Sequence, residues 1–246
     1  MSISKYGSIF FVIFSLLICG PLIFAADSDP LPIKKSIQTE ADKMIKVENM
    51  VLDPVLPVAL IGSKMDGQVN FMTAAWFTRL EVDPYLFGVS IQKQHFTHAA
   101  IMKNKAFSIN IPTTEMIPKV DAVGMLSGRE YDKSEVFDIF YGDNENVPMV
   151  DGSIISIECK LVNTVSLVER DEKHPRAHSL IIGEVVNVWA SKATLDDKGL
   201  NFKDYGPVYW SWSPMSYWSI GDKVAQAWNG ENRKLVPKKE SSSQAE

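Results

Sequence analysis

The segment from Asn70 to Trp76 carries polar and small residues where the buried face of a strand should be apolar. Asn70 and Thr73 alternate with apolar residues, and the small Ala74 and Ala75 precede Trp76. Asn both donates and accepts hydrogen bonds, and Trp offers an aromatic plane. The pattern favours a bound ligand against this segment, and an ordinary half-buried strand is the alternative.

Two later segments of the sequence contain a hydroxyl and positively charged side chains that could also contact a ligand. Thr97 stands at the start of a short predicted helix, where a hydroxyl meets unpaired backbone N–H groups. The segment 127–133 contains Gly128, which permits a tight turn, and the cations Arg129 and Lys133. Taken alone, this second segment is more typical of a solvated loop at a helix end than of a binding site.

The four histidines raise the possibility of a metal site. They form two pairs, His95 with His98 and His174 with His178. Pro175 separates the members of the second pair, and a strand-like run follows, so the two rings need not share a face. The first pair flanks a helix start and is compatible with simple exposure. A metal-binding barrel therefore ranks below other ligand hypotheses.

Charge and missing motifs exclude several functions. The net charge is -5, and acidic and basic residues are mixed without a basic run, which argues against nucleic acid as a partner. The sequence has neither a glycine-rich dinucleotide fingerprint nor a phosphate-binding P-loop. It also lacks the nucleophile-elbow pentapeptide of acyl-transfer enzymes. A small ligand or a protein is the expected partner.

The predicted elements are mostly strands. The Asp66-Gly67 pair predicts a tight hairpin turn, and two short helices are expected at 97–105 and 113–126. Many strands without regular alternation with helices indicate a small antiparallel barrel, mainly β with short α-helices. The predicted strands cover residues 55–64, 68–78, 85–91, 106–111, 153–169 and 178–190.

Both ends of the chain are expected to lie outside the domain. Residues 1–25 have the pattern of an export signal, with Lys5, an apolar run over 9–18 and a small-residue cleavage site at Ala25-Ala26. An uncleaved anchor helix is the alternative, although Gly20-Pro21 interrupts the apolar run. We expect a linker over 26–45, one domain over 46–229 and a polar tail over 230–246, with the protein exported to the periplasm or beyond.

Cysteine usage is consistent with a domain that has no disulfide. Cys19 falls inside the predicted signal, so the mature chain carries Cys159 alone. Cys159 alternates with apolar residues of a predicted strand, and we expect a buried, unreactive side chain there.

The order of these motifs resembles the flavin reductase and flavoredoxin proteins, which are FMN-binding split barrels. The resemblance covers residues 47–228 and is carried by the segments 70–76, 110–112 and 127–133, together with Thr97 and His178. It implies an antiparallel, Greek-key-like split β-barrel that binds FMN, works as an oxidoreductase and forms a homodimer. It implies cofactor contacts from Asn70, Met72, Thr73, Ala74, Trp76, Thr97, Ser127, Lys133, His178 and Tyr209.

Within that resemblance, Thr97 and Lys133 are expected to hold the FMN phosphate, one by a hydroxyl and one by charge. The chain departs from the family at Gln92 and Lys93, where many relatives have an arginine, and in its export signal. Because NADH and NADPH are scarce outside the cytoplasm, the departure favours a redox protein or small reductant as electron donor over NAD(P)H. The rival function is a non-catalytic binding module that carries or senses flavin, haem or another ligand.

Overall fold

The structure, a computed structural model, describes residues 54–197, 199–201, 205–224 and 227. The helices are α1 (Phe96–Asn104) and α2 (Ile117–Met125), with short 3-10 turns at Thr114–Met116 and Lys192–Thr194. The strands are β1 (Leu56–Pro57), β2 (Ala59–Met65), β3 (Gln68–Ala74), β4 (Phe77–Val82), β5 (Tyr85–Gln92), β6 (Ala106–Ile111), β7 (Ile139–Tyr141), β8 (Pro148–Val150), β9 (Ile155–Ser166), β10 (His178–Ala190), β11 (Leu195–Asp196), β12 (Gly199–Leu200), β13 (Val208–Ser211) and β14 (Ser216–Ser219).

The predicted export signal, linker and tail lie outside the described residues, as does Cys19. The described chain as far as residue 222 belongs to one compact unit, Met44–Asp222. None of its described helices combines the length and apolar character that a membrane crossing requires.

The main sheet has seven antiparallel strands in the order β3-β2-β6-β9-β10-β5-β4. Its two edge strands, β3 and β4, are consecutive in the chain and are joined only by Ala75 and Trp76. So short a connection requires the sheet to curve until its edges approach each other. The backbone N–H of Ser90 on β5 donates to the carbonyl of Trp76 at 2.8 Å. The fold is therefore a mainly β, antiparallel split barrel, as the sequence predicts.

The same connection corrects one predicted strand. The sequence pattern predicts a single strand over 68–78, but the structure has β3 ending at Ala74 and β4 beginning at Phe77. Residues 74–77 are all apolar and include neither glycine nor proline, so nothing in the sequence marks the point at which the chain crosses from one sheet edge to the other. Trp76 stands at that crossing.

The β2–β3 hairpin confirms its predicted turn. Asp66 and Gly67 have φ values of 54° and 84°, so both central residues of the two-residue loop are left-handed. That conformation is the one that a tight hairpin turn of type I′ requires, and Asp-Gly is among its preferred pairs. The turn fixes the register in which Ser63 lies opposite Asn70.

Strand β2 is buried on both faces and separates two core clusters. Ala59 and Ile61 belong to one cluster with residues of β5, β6, β9 and β10. Leu60, with Val58 before the strand, belongs to the other, which includes residues of α2 and β13. Successive strand residues point to opposite faces, so this alternation places the main sheet between two apolar layers.

The two helices lie near β3. Helix α1 ends at Lys105, whose φ of 57° is left-handed and whose N–H donates to the carbonyl of Ile101 at 2.8 Å. Helix α2 is shorter than the predicted 113–126 helix because a 3-10 turn occupies Thr114–Met116 first. Pro118 stands in its first turn, where the missing N–H costs no helical hydrogen bond.

A second, three-stranded sheet follows the order β1-β13-β14 and carries the C-terminal aromatic cluster. Trp210 of β13 pairs with Tyr217 of β14 and with Leu56 of β1. Val208 on β13 joins the core cluster that includes α2 residues. This packing places the aromatic hairpin beside α2.

Cys159 is fully buried on β9, in agreement with the sequence prediction. Burial, assisted by the neighbouring Glu158 charge, raises the pKa of its thiol to about 12. A thiol with that pKa carries almost no thiolate at neutral pH, so Cys159 has a packing role.

Candidate functional site

Two adjoining cavities lie along β3, between the main sheet, the two helices and the second sheet. The first, called the Trp cavity, has a volume of about 290 Å³, and the second, called the polar cavity, about 340 Å³. They share four lining residues, so they form one continuous tract: Met72, His95, Gly124 and Met125. Their combined volume is in the range of small-molecule and cofactor sites.

The structure brings together all but one of the residues predicted to contact a cofactor. The Trp cavity is lined by Met72, Thr73, Ala74, Trp76 and His178. The polar cavity is lined by Asn70, Met72, Thr97, Ser127 and Lys133. The exception is Tyr209, which lines neither cavity.

Tyr209 lies on the wrong side of its strand for the Trp cavity. It is half-buried on β13, next to Trp210, which does line that cavity. Adjacent strand residues point to opposite faces, so only one of the two can face the cavity. Tyr217, opposite Trp210 on β14, lines it as well.

Asn70 and Thr97 form the buried floor of the polar cavity. The Nδ2 of Asn70 donates to the Oγ1 of Thr97 at 2.8 Å, and both residues are buried. The Thr97 hydroxyl therefore retains its own proton for another acceptor. The Oδ1 of Asn70 is buried without a hydrogen-bond partner in the described structure. A buried carbonyl oxygen without a donor is costly, and a bound ligand can supply that donor.

Gly128 is required by close packing rather than by a left-handed turn. The predicted tight turn is present, since the backbone N–H of Glu130 donates to the carbonyl of Ser127 at 3.0 Å, but the φ of Gly128 is not in the left-handed region, so the turn does not itself require glycine. A Cβ at this position would overlap the side-chain carbonyl of Asn70, approaching its Cγ to 2.9 Å, and would lie 3.2 Å from the ring of Phe96. The absence of a side chain at Gly128 thus leaves room for the Asn70 amide.

Lys133 is a buried cation at the other wall of the polar cavity. It is 3% exposed, and its Nζ donates to the carbonyls of Phe71 at 3.0 Å and Val123 at 2.8 Å. An ammonium group has three protons, so one remains for a further acceptor. The described residues that line the polar cavity include no carboxylate. Burial lowers the pKa of Lys133 to about 8, which indicates a charge without an anionic partner.

The start of helix α1 adds to the positive potential of the polar cavity. His95 is the N-cap residue, and no side chain caps the first turn, which contains Phe96 and Thr97. Uncapped N–H groups and the helix dipole favour an anion at this end. Arg129, also in the lining, contributes a second full positive charge.

Ser127 and Thr73 use their side chains mainly to fix the cavity walls. The Oγ of Ser127 accepts from the N–H of Arg129 at 3.2 Å and stabilises the turn after α2. The Thr73 hydroxyl donates to the carbonyl of Val120, which ties β3 to α2. Both residues still line the tract, but the Thr73 hydroxyl proton is already engaged.

Trp76 and His178 form the open end of the Trp cavity. Their ring centroids are 5.1 Å apart with planes inclined by 47°, and Trp76 is 47% exposed. Burial lowers the pKa of His178, against the opposing effect of its hydrogen bond to the Arg176 backbone, so the ring is neutral at pH 7. This end therefore offers aromatic surfaces of low charge.

Several lining residues were not predicted as contacts. His95 borders both cavities, and its Nδ1 is buried without a partner in the described structure. Burial, with the nearby charges of His178, Lys133 and His98, lowers the pKa of His95. The sequence showed His95 only as one of a pair beside a helix, compatible with exposure. It is instead half-buried.

The metal hypothesis finds no support in this arrangement. His98 is half-buried, and its Nε2 lies 3.3 Å from the Oγ of Ser179. Among the described residues, no three potential ligand side chains from His, Cys, Asp or Glu are close enough to hold a metal ion.

A pair from outside the main sheet closes the Trp cavity. The Tyr217 hydroxyl on β14 donates to the Oδ1 of Asp121 on α2 at 3.0 Å. Burial and this hydrogen bond raise the pKa of Tyr217 to about 12, so its proton stays in place at neutral pH. No local sequence signal could show the pair, because 96 residues separate its members.

Comparison with known proteins agrees with this geometry. Residues 55–211 match the flavin reductase like domain, and the chain belongs to that family. Membership supports flavin binding and, at a general level, oxidoreductase function. The matched region includes every predicted contact residue.

Solved structures of similar proteins share the fold. Flavoredoxin from Methanosarcina acetivorans has a TM-score of 0.71 at 29% identity, with 79% of this chain and 100% of that chain covered. Flavoredoxin of Desulfovibrio vulgaris (Miyazaki F) has a TM-score of 0.67 at 27% identity, covering 76% and 100%. An FMN-binding protein from Thermus thermophilus with bound 1-cyclohex-2-enone has a TM-score of 0.63 at 27% identity, covering 75% and 99%.

The residues present fit a flavin that carries a phosphate. The polar cavity offers the spare N–H of Lys133 and the uncapped start of α1 to an anion. The orphaned Oδ1 of Asn70 can accept from a hydroxyl of a sugar-alcohol chain. The Trp cavity offers Met72, Ala74 and aromatic side chains to an apolar ring. The tract is thus polar at one end and aromatic at the other, as is FMN.

Proposed function

We propose that this protein is an FMN-dependent oxidoreductase of the flavoredoxin type. The observation that carries the proposal is the buried, carboxylate-free group around Lys133, whose spare N–H faces a tract that ends in aromatic side chains. A flavin without a phosphate gives this cation no partner, whereas the phosphate of FMN does.

In this proposal each end of the tract has a separate task. Lys133, Thr97 and the start of α1 hold the phosphate, and Asn70 orients the ribityl chain. Trp76 and His178 form the wall beside the ring and leave one side accessible. Bound FMN supplies hydride or electron transfer through its N5 atom. The protein needs no side-chain acid or base for that transfer, since its contribution is position and a fixed electrostatic environment.

The proposal extends to location and partners. The sequence pattern of residues 1–25 supports export, and export favours a redox protein or small reductant over NAD(P)H as donor. Exposed apolar side chains at Val162, Val165, Val186 and Val188 support a homodimer, because a second copy can cover them. Rapid NADH oxidation by a protein confined to the cytoplasm would contradict the export proposal.

The test is spectroscopic. We expect the purified protein to retain FMN, or to bind added FMN stoichiometrically, with the absorption bands of a bound flavin. Gel filtration should show a dimer. Chemical reduction should bleach the bound flavin, and a small electron acceptor should restore the bands. Protein that retains no flavin at excess FMN would contradict the proposal, and flavin that binds without turnover would favour a carrier or sensor.

A further inference from the structure

A third cavity adjoins the open end of the Trp cavity and has no task in the function proposed above. This loop cavity has a volume of about 710 Å³ and shares Trp76, Ser90 and His178 with the Trp cavity. Its remaining walls come from the segment 167–177, which joins β9 to β10. A molecule in the loop cavity would therefore touch the same aromatic side chains that border the proposed flavin ring.

The loop cavity is mostly apolar. Its apolar lining includes Leu167, Val168, Pro175 and Ala177. Leu167 is 53% exposed and Val168 45% exposed. Exposed apolar groups beside a concave surface favour a ligand with an apolar body, since both gain from leaving water.

Side-chain contacts hold this wall in a defined shape. The Nζ of Lys93 donates to the Oγ of Ser166 at 2.6 Å, to the carbonyl of Val168 at 3.1 Å and to Glu169 at 3.4 Å. Arg170 donates to the carbonyl of Pro175 at 3.2 Å and to the Oε1 of Gln94 at 3.4 Å. These contacts tie the loop to Lys93 and Gln94, which lie in the connection between β5 and α1.

The charge of the loop cavity is positive, although the chain has a net charge of -5. Lys173 and Arg176 line it, together with His174, while no carboxylate is among its described lining residues. Glu172 precedes Lys173 in the chain but does not line the cavity, and Asp171 already accepts from the ring and backbone N–H groups of His174. Within the described chain, the side chains of Lys173 and Arg176 have neither a hydrogen bond nor an ion pair.

These cations are not explained by the cofactor. In the proposed function, Lys133 and Arg129 supply the positive charge for the FMN phosphate. Both line the polar cavity, which lies on the far side of the Trp cavity. Two cations beside an apolar wall favour an anion with an apolar body as the ligand. FMN has only one phosphate.

We propose that the loop cavity binds the reactant that meets the flavin, and that this reactant is a small molecule with an apolar body and one carboxylate or similar anionic group. The apolar body lies against Leu167, Val168 and Trp76, and the anionic group faces Lys173 and Arg176. That this ligand reacts with the flavin rests on the proposed function. Binding of the ligand in the loop cavity does not itself require the flavin.

The test compares two probes of nearly equal shape, naphthoate and the neutral naphthamide. Calorimetric titration is made on the whole protein, once saturated with FMN and once without added FMN. We expect naphthoate to bind more tightly than naphthamide. The double variant Lys173→Gln/Arg176→Gln should weaken naphthoate binding by about tenfold, because two exposed charges are lost. Naphthamide binding should not change.

A matched control separates this effect from general charge. Lys119 and Lys160 are exposed and line none of the three cavities. The double variant Lys119→Gln/Lys160→Gln has the same net charge as the test variant and should bind naphthoate like the unmodified protein. Since all four side chains are at the surface, both variants should fold normally.

The outcomes separate this inference from the proposed function. Charge-dependent naphthoate binding in a protein that binds no FMN supports the loop cavity and contradicts the proposed function. FMN binding with no naphthoate binding, or with binding insensitive to both substitutions, overturns the loop-cavity inference alone. Competition between naphthoate and FMN also overturns it, because the loop cavity would then belong to the cofactor. Failure of naphthoate to bind because a second copy covers the cavity would overturn it as well.

Discussion

The two ends of the cofactor tract differ in how their functional side chains are held. In the polar cavity, Lys133 is 3% exposed and Asn70 is 1% exposed, and each is fixed by a hydrogen bond to neighbouring residues. At the open end, Trp76 is 47% exposed and touches His178 ring to ring. This difference means that the fold holds the proposed phosphate site rigidly and leaves the reactive end accessible. The proposed function requires both, since the cofactor stays while reactants exchange.

Loss of the buried cation should have the largest effect on FMN affinity. We expect Lys133→Ala to weaken FMN binding by about 1.5 to 3 kcal/mol, since a charge-assisted contact to the phosphate is lost. Fluorescence titration with FMN measures it. Lys133→Met retains much of the apolar stem and should lose similar affinity, while Lys160→Met at an exposed site should lose none. Unchanged affinity in both Lys133 variants would remove this residue from the site.

Filling the space at Gly128 should have the next largest effect. A methyl group there overlaps the Asn70 carbonyl, so Gly128→Ala should displace the amide and weaken FMN binding by about 1 to 3 kcal/mol. The control is Gly221→Ala, where a Cβ has nothing within 4 Å. The same titration compares the two. Equal affinity for both variants would mean that the Asn70 amide need not occupy its present position.

The pH dependence of binding should report the same cation. The pKa of Lys133 is lowered to about 8 in the flavin-free protein, so the lysine loses its charge as the pH rises through that value. A phosphate dianion prefers the protonated lysine, and FMN affinity should therefore fall about tenfold between pH 7 and pH 9. Affinity that stays constant in this window would contradict the role of Lys133, and Lys133→Met should abolish the dependence.

Changes at the open end should matter least for affinity. We expect Trp76→Ala to weaken FMN binding by about 0.5 to 1.5 kcal/mol, the contribution of one aromatic contact. The rate at which reduced flavin is reoxidised should change more than the affinity does, because Trp76 borders the accessible side. Stopped-flow absorbance gives the rate. A loss of affinity larger than that of Lys133→Ala would mean that the open end, and not the polar cavity, holds the cofactor.

The sequence predicted the polar cavity better than the Trp cavity, for a physical reason. Residues of the polar cavity come from short segments with local signals: an Asn in an apolar strand, a Thr at a helix start and a Gly-Arg turn. The Asn70–Thr97 bond could follow from these only once the fold was assumed. Gly128 correctly indicated a turn, but its close packing against Asn70 has no local signal because it depends on the fold.

The Trp cavity depends in part on contacts that no local pattern encodes. Tyr217 and Asp121 meet across 96 residues. Trp210 and Tyr209 are both aromatic, and only the strand direction decides which one faces the cavity. The division of 68–78 into two strands was also invisible, because the apolar residues 74–77 continue across the crossing at Ala75 and Trp76 without a turn residue. Location, donor and dimerisation stay predictions.

The most direct test of the central claim is the ratio of FMN affinity to riboflavin affinity, measured by titration under identical conditions. Riboflavin has the same ring and ribityl chain but no phosphate, so the ratio isolates the polar cavity. We expect FMN to bind more tightly than riboflavin by about tenfold to a hundredfold, in line with a charge-assisted contact. Lys133→Met should remove most of this difference. Equal affinity for both flavins in the unmodified protein would contradict it.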